Sequence, residues 1–128
     1  MAKPRRRAIV MLVITMIMAC ASLVVAPAAS ADTVVSSRVV NGVTIKLWYN
    51  QGWNWVSVQP QTFTNAGGEV GIWSAASGSR WTPSYMRFPS WTTTGAVWAP
   101  GSTCVTITAN VVSNYSPYTR VWQSWQVC

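Results

Sequence analysis

Tryptophan is the residue through which this chain has most chemistry to offer: nine tryptophans and four tyrosines stand in 128 residues. An indole face can stack on the C–H face of a sugar ring, while nearby amides and hydroxyls meet the sugar's hydroxyl groups. Trp48, Trp53 and Trp55 lie close together among Thr44, Lys46, Asn50, Asn54 and Gln59. That set predicts a ligand-binding surface built from Trp48, Trp53, Trp55, Asn50 and Gln59, because large exposed apolar patches usually mark binding sites. The competing reading is structural: a second sheet covers the face, or Trp48 and Trp55 are only a stabilising cross-strand pair. Trp73, Trp98 and Trp125 are expected in the core, since one indole fills roughly 150–250 Å² of a small β interior. Residues 80–91 hold Arg80, Trp81, Tyr85, Arg87, Phe88 and Trp91. This aromatic segment is a second candidate surface, and Trp and Arg are common anchors of protein interfaces.

Other chemistry is scarce. The chain has no histidine and only two carboxylates, Asp32 and Glu69. Without an imidazole, Ser-His-Asp and Cys-His catalysis have no base, and the commonest metal ligand is missing. A paired-carboxylate glycosidase has no obvious second acid. Gly67-Gly68 is not followed by the Gly-Lys-Ser/Thr of a phosphate loop. The sequence therefore predicts no enzyme, no cofactor and no metal.

The formal charge of +7 is concentrated at the start. Lys3, Arg5, Arg6 and Arg7 precede an apolar run from Ala8 to Ala26, and Pro27-Ala28-Ala29-Ser30-Ala31 closes it. A basic start, an apolar core and an A-x-A end are the three parts of a secretory signal. Residues 1–31 are thus expected to be a cleaved signal peptide, and the protein secreted and extracellular. Two alternatives anchor it at the cell surface instead: an uncleaved leader, long enough to span a bilayer, or a lipid on Cys20. Membrane contact is expected only by these routes. From residue 32 onward, Arg38, Lys46, Arg80, Arg87 and Arg120 stand against Asp32 and Glu69, five minus two, a net +3. They are scattered singly, so no nucleic-acid patch is expected.

The elements that must hold these residues read as strands. Residues 32–128 are rich in Val, Thr, Trp and Tyr, with Gly/Asn/Ser/Pro clusters roughly every 8–12 residues, the pattern of a sandwich or barrel. We expect a single all-β domain: a small antiparallel β-sandwich or barrel of about seven strands with one disulfide. Asn41-Gly42 and Gln51-Gly52 are two-residue hairpin turns. Between and after them, Leu47 pairs with Val56 and Ile45 with Val58 on the core side. Trp48 then faces Trp55, Lys46 faces Ser57, Thr44 faces Gln59 and Asn50 faces Trp53 on the other side. A slip of one residue would invert every one of these. Asn65 to Gly68 reads as a turn, Glu69 to Ala75 as a strand, residues 80–91 as an irregular or edge segment, and Thr92 to Ala99 as a strand.

The last 25 residues read as a hairpin of 104–112 with 119–127. Val105 faces Val127, Ile107 faces Trp125 and Val111 faces Val121, while Thr106, Thr108 and Asn110 face Gln126, Ser124 and Trp122. Cys104 and Cys128 are the only cysteines after the leader and are expected to form a disulfide, either within this hairpin or between sheets.

The leader and the Trp-rich, charge-poor remainder resemble small secreted bacterial proteins in general type, without a family motif. The expectation for function is a secreted non-catalytic module that binds polysaccharide or cell wall through exposed tryptophans. The alternatives are a protein-directed effector, such as a hydrolase inhibitor or small toxin, and a structural surface protein.

Overall fold

A computed structural model of the chain describes residues 31–114 and 118–128. The expected leader, with Cys20, lies outside the described residues except for Ala31. Asp32–Cys128 forms one unit with nine strands: β1 (Thr33–Val40), β2 (Val43–Asn50), β3 (Trp53–Pro60), β4 (Ala66–Ser74), β5 (Gly78–Trp81), β6 (Thr92–Thr93), β7 (Val97–Trp98), β8 (Val105–Ser113) and β9 (Thr119–Val127). They make two antiparallel sheets packed face to face, a β-sandwich. One sheet runs β1-β2-β3-β6, with β7 also paired to β3; the other runs β9-β8-β4-β5.

The β1-β2-β3 meander follows the alternation. Asn41 and Gly42 have φ of 49° and 82°, and Gln51 and Gly52 have 48° and 91°. Positive φ at both central residues is the type I′ turn, whose twist matches that of the strands. The register pairs Leu47 with Val56, Ile45 with Val58, Trp48 with Trp55 and Asn50 with Trp53, as the alternation requires. The β8–β9 hairpin is also in the expected register, from Val105 opposite Val127 to Val111 opposite Val121. Cys104 and Cys128 form a disulfide at its open end, within one sheet, with Cα atoms 3.9 Å apart.

The core between the sheets is aliphatic. Val40, Val43, Ile45, Leu47, Val56, Val58, Val70, Ile72, Val97, Val105, Ile107 and Val111 are fully buried, and Phe88 is the one aromatic among the buried apolar residues described. Each such side chain contributes about 1.5–3 kcal/mol. The expectation that Trp73, Trp98 and Trp125 lie in the core does not hold for the first two. Trp73 is 45% and Trp98 40% exposed, because each occupies the outward position of its strand. Trp125 faces inward opposite Ile107 but at the edge strand, where it is only partly buried against the core. The Arg38 guanidinium lies 4.3 Å from its ring, and its buried Nε1 has no hydrogen-bond partner.

Two segments differ from expectation for one steric and one chemical reason. Asn65 to Gly68 is not a turn: β4 already begins at Ala66, and Gly67 and Gly68 pair with Val112 and Val111. A Cβ on Gly67 would stand 2.1 Å from the Met86 carbonyl oxygen, so this glycine lets the 82–88 segment close onto the sheet, where Gly68 and Tyr85 exchange backbone bonds of 2.7 and 2.9 Å. Thr92 to Ala99 is not one strand but two short ones. The break is Thr94, buried, whose Oγ1 accepts the Val56 amide at 3.0 Å while its own amide donates to the Val56 carbonyl at 2.9 Å. These short pieces raise the strand count above the expected seven.

The disulfide closes a separation of 24 residues. Replacing both cysteines with serine is expected to lower the unfolding free energy by about 3 kcal/mol, measured by urea denaturation. A loss near zero would mean that strand pairing alone holds the hairpin.

Candidate functional site

The outward face of the five-stranded sheet is where the tryptophans gather. On β2 the outward residues are Thr44, Lys46, Trp48 and Asn50; on β3 they are Trp53, Trp55, Ser57 and Gln59. Trp48 and Trp55 are cross-strand partners with parallel rings, 6° between planes and 6.4 Å between centroids. Trp48 Nε1 donates to Ser57 Oγ at 2.8 Å, which fixes the indole. Both rings are half-buried on the outward side of the sheet, and the core lies on the other side.

Two further tryptophans join them: Trp91, which the sequence assigned to a separate aromatic surface over 80–91, and Trp98, which it assigned to the core. Trp91 stands edge-to-face against Trp48 (centroids 6.5 Å, 71°). Trp98 is the β7 partner of Trp53, and their rings meet edge-to-face at 5.1 Å and 66°. No strand periodicity reaches Trp91, which follows Pro89 in an irregular segment. Trp98 carries a signal only if β7 is known to pair with β3, which places Trp98 outward beside Trp53 and Val97 inward.

Local bonding sets each added ring. Trp91 enters through the Thr94 bracket on Val56 described above, and through Tyr85 Oη hydrogen-bonded to Thr92 Oγ1 at 3.2 Å. Trp98 is held by Asn54. The Asn54 amide donates to the Ala99 carbonyl at 2.9 Å and to the Gly52 carbonyl at 3.3 Å, and the Ala99 amide donates back to Gly52 at 2.8 Å. Trp98 then lies directly over Gly52, where an added Cβ would stand 2.6 Å from the ring. Asn54 is therefore not part of the polar rim, as its neighbourhood in sequence suggested. It is 5% exposed and faces the interior, because its strand position alternates with Trp53 and Trp55.

The expected rim residues divide. Asn50 sits at the edge of the ring cluster and donates to Asp32 Oδ1 at 2.7 Å. Gln59 is exposed and points the same way, but opposite Thr44 and two positions beyond Ser57, off the row of rings. Lys46, opposite Ser57, is the one charged residue among the outward positions of β2 and β3. The five indoles thus form a nearly neutral platform, with Trp91, Trp53 and Trp98 exposed at 49%, 47% and 40%.

Magnitudes argue that this platform is not explained by stability. An indole left nearly half exposed forgoes burial of about 100 Å², roughly 2.5 kcal/mol. An aromatic pair returns only about 0.5–1.5 kcal/mol beyond its area. The rings stabilise one another by less than a core position would.

Among the described residues no three of His, Cys, Asp and Glu come together as a metal site. Asp32 lies beside Asn50 at one sheet, and Glu69 is on β4 of the other. No protein-family model matches the chain, and no curated protein or solved structure compared with it matches either.

Asn54→Ala would leave the Ala99 carbonyl without its buried donor. We expect a stability loss of about 1–3 kcal/mol together with a change in the near-ultraviolet circular dichroism of the Trp53–Trp98 pair. An unchanged spectrum would mean that β7 is seated without Asn54.

Proposed function

We propose that this chain is an exported, non-catalytic module that binds polysaccharide or cell wall through the platform of Trp48, Trp53, Trp55, Trp91 and Trp98. The observation that carries the reading is the presence of five indoles on one outward sheet face beside amide, hydroxyl and a single ammonium group. Sugar rings offer an apolar C–H face and a polar perimeter, and this surface offers the complement of both. Its near neutrality suits an uncharged polymer better than an anionic one. The basic, apolar, A-x-A leader supports export, with anchoring at the cell surface as the alternative.

A second reading is favoured by one end of the sandwich. Phe63, Met86 and Tyr118 are exposed at 91%, 93% and 73%, and Arg87 adjoins Met86. Apolar side chains presented with arginine suit a protein partner, as in a hydrolase inhibitor or small toxin.

The test is a pull-down of the purified protein, disulfide intact, on insoluble peptidoglycan, chitin and cellulose. Trp53→Ala and Trp55→Ala are each expected to weaken retention about tenfold, the equivalent of ~1.4 kcal/mol, with far-ultraviolet circular dichroism unchanged. Retention of the parent on none of the three polymers would sink this reading and turn attention to Met86 and Arg87.

A further inference from the structure

The opposite outward face of the sandwich carries a second set of rings. On the β9-β8-β4-β5 sheet, Trp122, Trp73 and Trp81 are exposed at 62%, 45% and 43%. Trp81 is the register partner of Gly71, and its indole lies flat over that glycine: a Cβ there would stand 2.5 Å from the ring. The glycine thus turns an edge-strand tryptophan onto the sheet surface above β4. Thr82 fixes the turn that follows, its Oγ1 accepting the Val70 amide at 3.1 Å while its own amide donates to the Val70 carbonyl at 2.9 Å.

From β4 the row through Gly71 continues to Thr108 and Ser124, whose hydroxyls are hydrogen-bonded at 3.1 Å. Trp122 lies on β9 opposite Asn110, two residues from Ser124 on the same face. The Trp81 ring over β4 and Trp122 on β9 are two strand spacings apart across the sheet and two residues apart along it, about 12 Å between strand positions, a span on the scale of two or three linked pyranose rings. The floor between them is hydroxyl and amide. Two charges of opposite sign border it: Arg120 donates to Asn110 Oδ1 at 2.7 Å, and Glu69, opposite Asn110, stands on β4 two residues from Gly71. An aromatic ring at each end of a hydrogen-bonding floor whose two bordering charges, Arg120 and Glu69, are of opposite sign selects a neutral sugar chain over an anionic polymer or an apolar surface.

We infer that this face, with Trp81, Trp122 and Trp73 as its stacking residues, is a second binding platform for neutral polysaccharide, so that one molecule joins two polymer chains across the thickness of the sandwich. The inference rests on the reading above for the class of ligand, but it uses none of the same residues. The two platforms lie on opposite outward faces of the sandwich, so both can be occupied at once. Joint occupancy on a single particle raises retention through effective concentration; on two particles it cross-links them.

The experiment uses the purified protein with dispersed particles of peptidoglycan, chitin and cellulose, read by retention and by particle aggregation in turbidity. Trp53→Ala/Trp55→Ala removes two of the five rings of one face, and Trp73→Ala/Trp122→Ala two of the three of the other. Each double variant is expected to keep measurable retention, at least tenfold weaker than the parent, and to lose aggregation. The variant combining all four changes is expected to lose both. Trp122→Ala alone, at the most exposed of these rings, is the variant least able to disturb folding. Gly71→Ala displaces the Trp81 ring without deleting it, and both are expected to reduce aggregation. If Trp53→Ala/Trp55→Ala abolishes all retention, the second platform is refuted while the first stands. If Trp73→Ala/Trp122→Ala still aggregates particles as the parent does, as it would were two copies associating, the inference is likewise overturned. Failure of the parent to bind any polymer removes both readings.

Discussion

Side chains on a pleated strand alternate between faces, so a slip of one residue in the β2–β3 hairpin would send Lys46, Trp48, Trp55 and Ser57 inward and expose Ile45, Leu47, Val56 and Val58. The two type I′ turns exclude that slip. Their central residues hold positive φ at Asn41-Gly42 and Gln51-Gly52, and a two-residue loop leaves one pairing for the strands it joins. Everything on the tryptophan platform depends on this register. It makes an interior of β-branched and other aliphatic side chains, and it delivers three indoles from two adjacent strands to one outward face.

The threonines Thr82 and Thr94 show a second device, used once on each sheet. Each lies beside a strand whose valine amide would otherwise lack a partner: Val70 for Thr82, Val56 for Thr94. In each case the threonine hydroxyl accepts the valine amide, and the threonine amide donates to the valine carbonyl. The side chain thus takes the place of a strand carbonyl, and the chain turns away without leaving a buried donor unpaired. Trp81 immediately precedes one bracket, and Trp91 is three residues before the other. Side-chain satisfaction of the sheet edges and placement of the peripheral indoles are the same structural event. Asn54 plays a comparable part for Trp98, using a buried amide to fasten β7 to the β2–β3 turn.

The result is a sandwich whose aromatic residues are mainly outside and whose small apolar residues are inside. A chain of this size builds its stability from the aliphatic core and the Cys104–Cys128 staple. Its tryptophans are then free for the two outward faces, where they stand beside hydroxyl and amide groups and few charges. That division places Trp73 and Trp98 outside, although volume alone would put them in the core. Large side chains are expected in small cores on volume grounds, yet Trp73 occupies an outward position of β4, and Gly52 supplies flat ground on which the Trp98 ring lies at the surface.

Sequence by itself determined what is local. Alternation of period two and the turn chemistry of Asn-Gly and Gln-Gly were enough to fix the β2–β3 pairing, the β8–β9 pairing, the outward direction of Trp48, Trp53 and Trp55, and the all-β class. The cysteine pair was also readable, because the two cysteines that follow residue 31 allow only one intramolecular bond between them. Tertiary structure decided what is non-local: that the disulfide stays within one sheet, that the inward-facing Asn54 finds Ala99 to latch, and that Gly67-Gly68 is strand, not turn. It also decided that Trp91 and Trp98 complete one platform, and that Trp73, Trp81 and Trp122 share the opposite face. Those facts depend on which strand crosses to which sheet and on how closely two backbones approach. Neither is written in the spacing of residues along a single strand, since each arises only when segments distant in sequence compete for the same edge or the same empty space above a glycine.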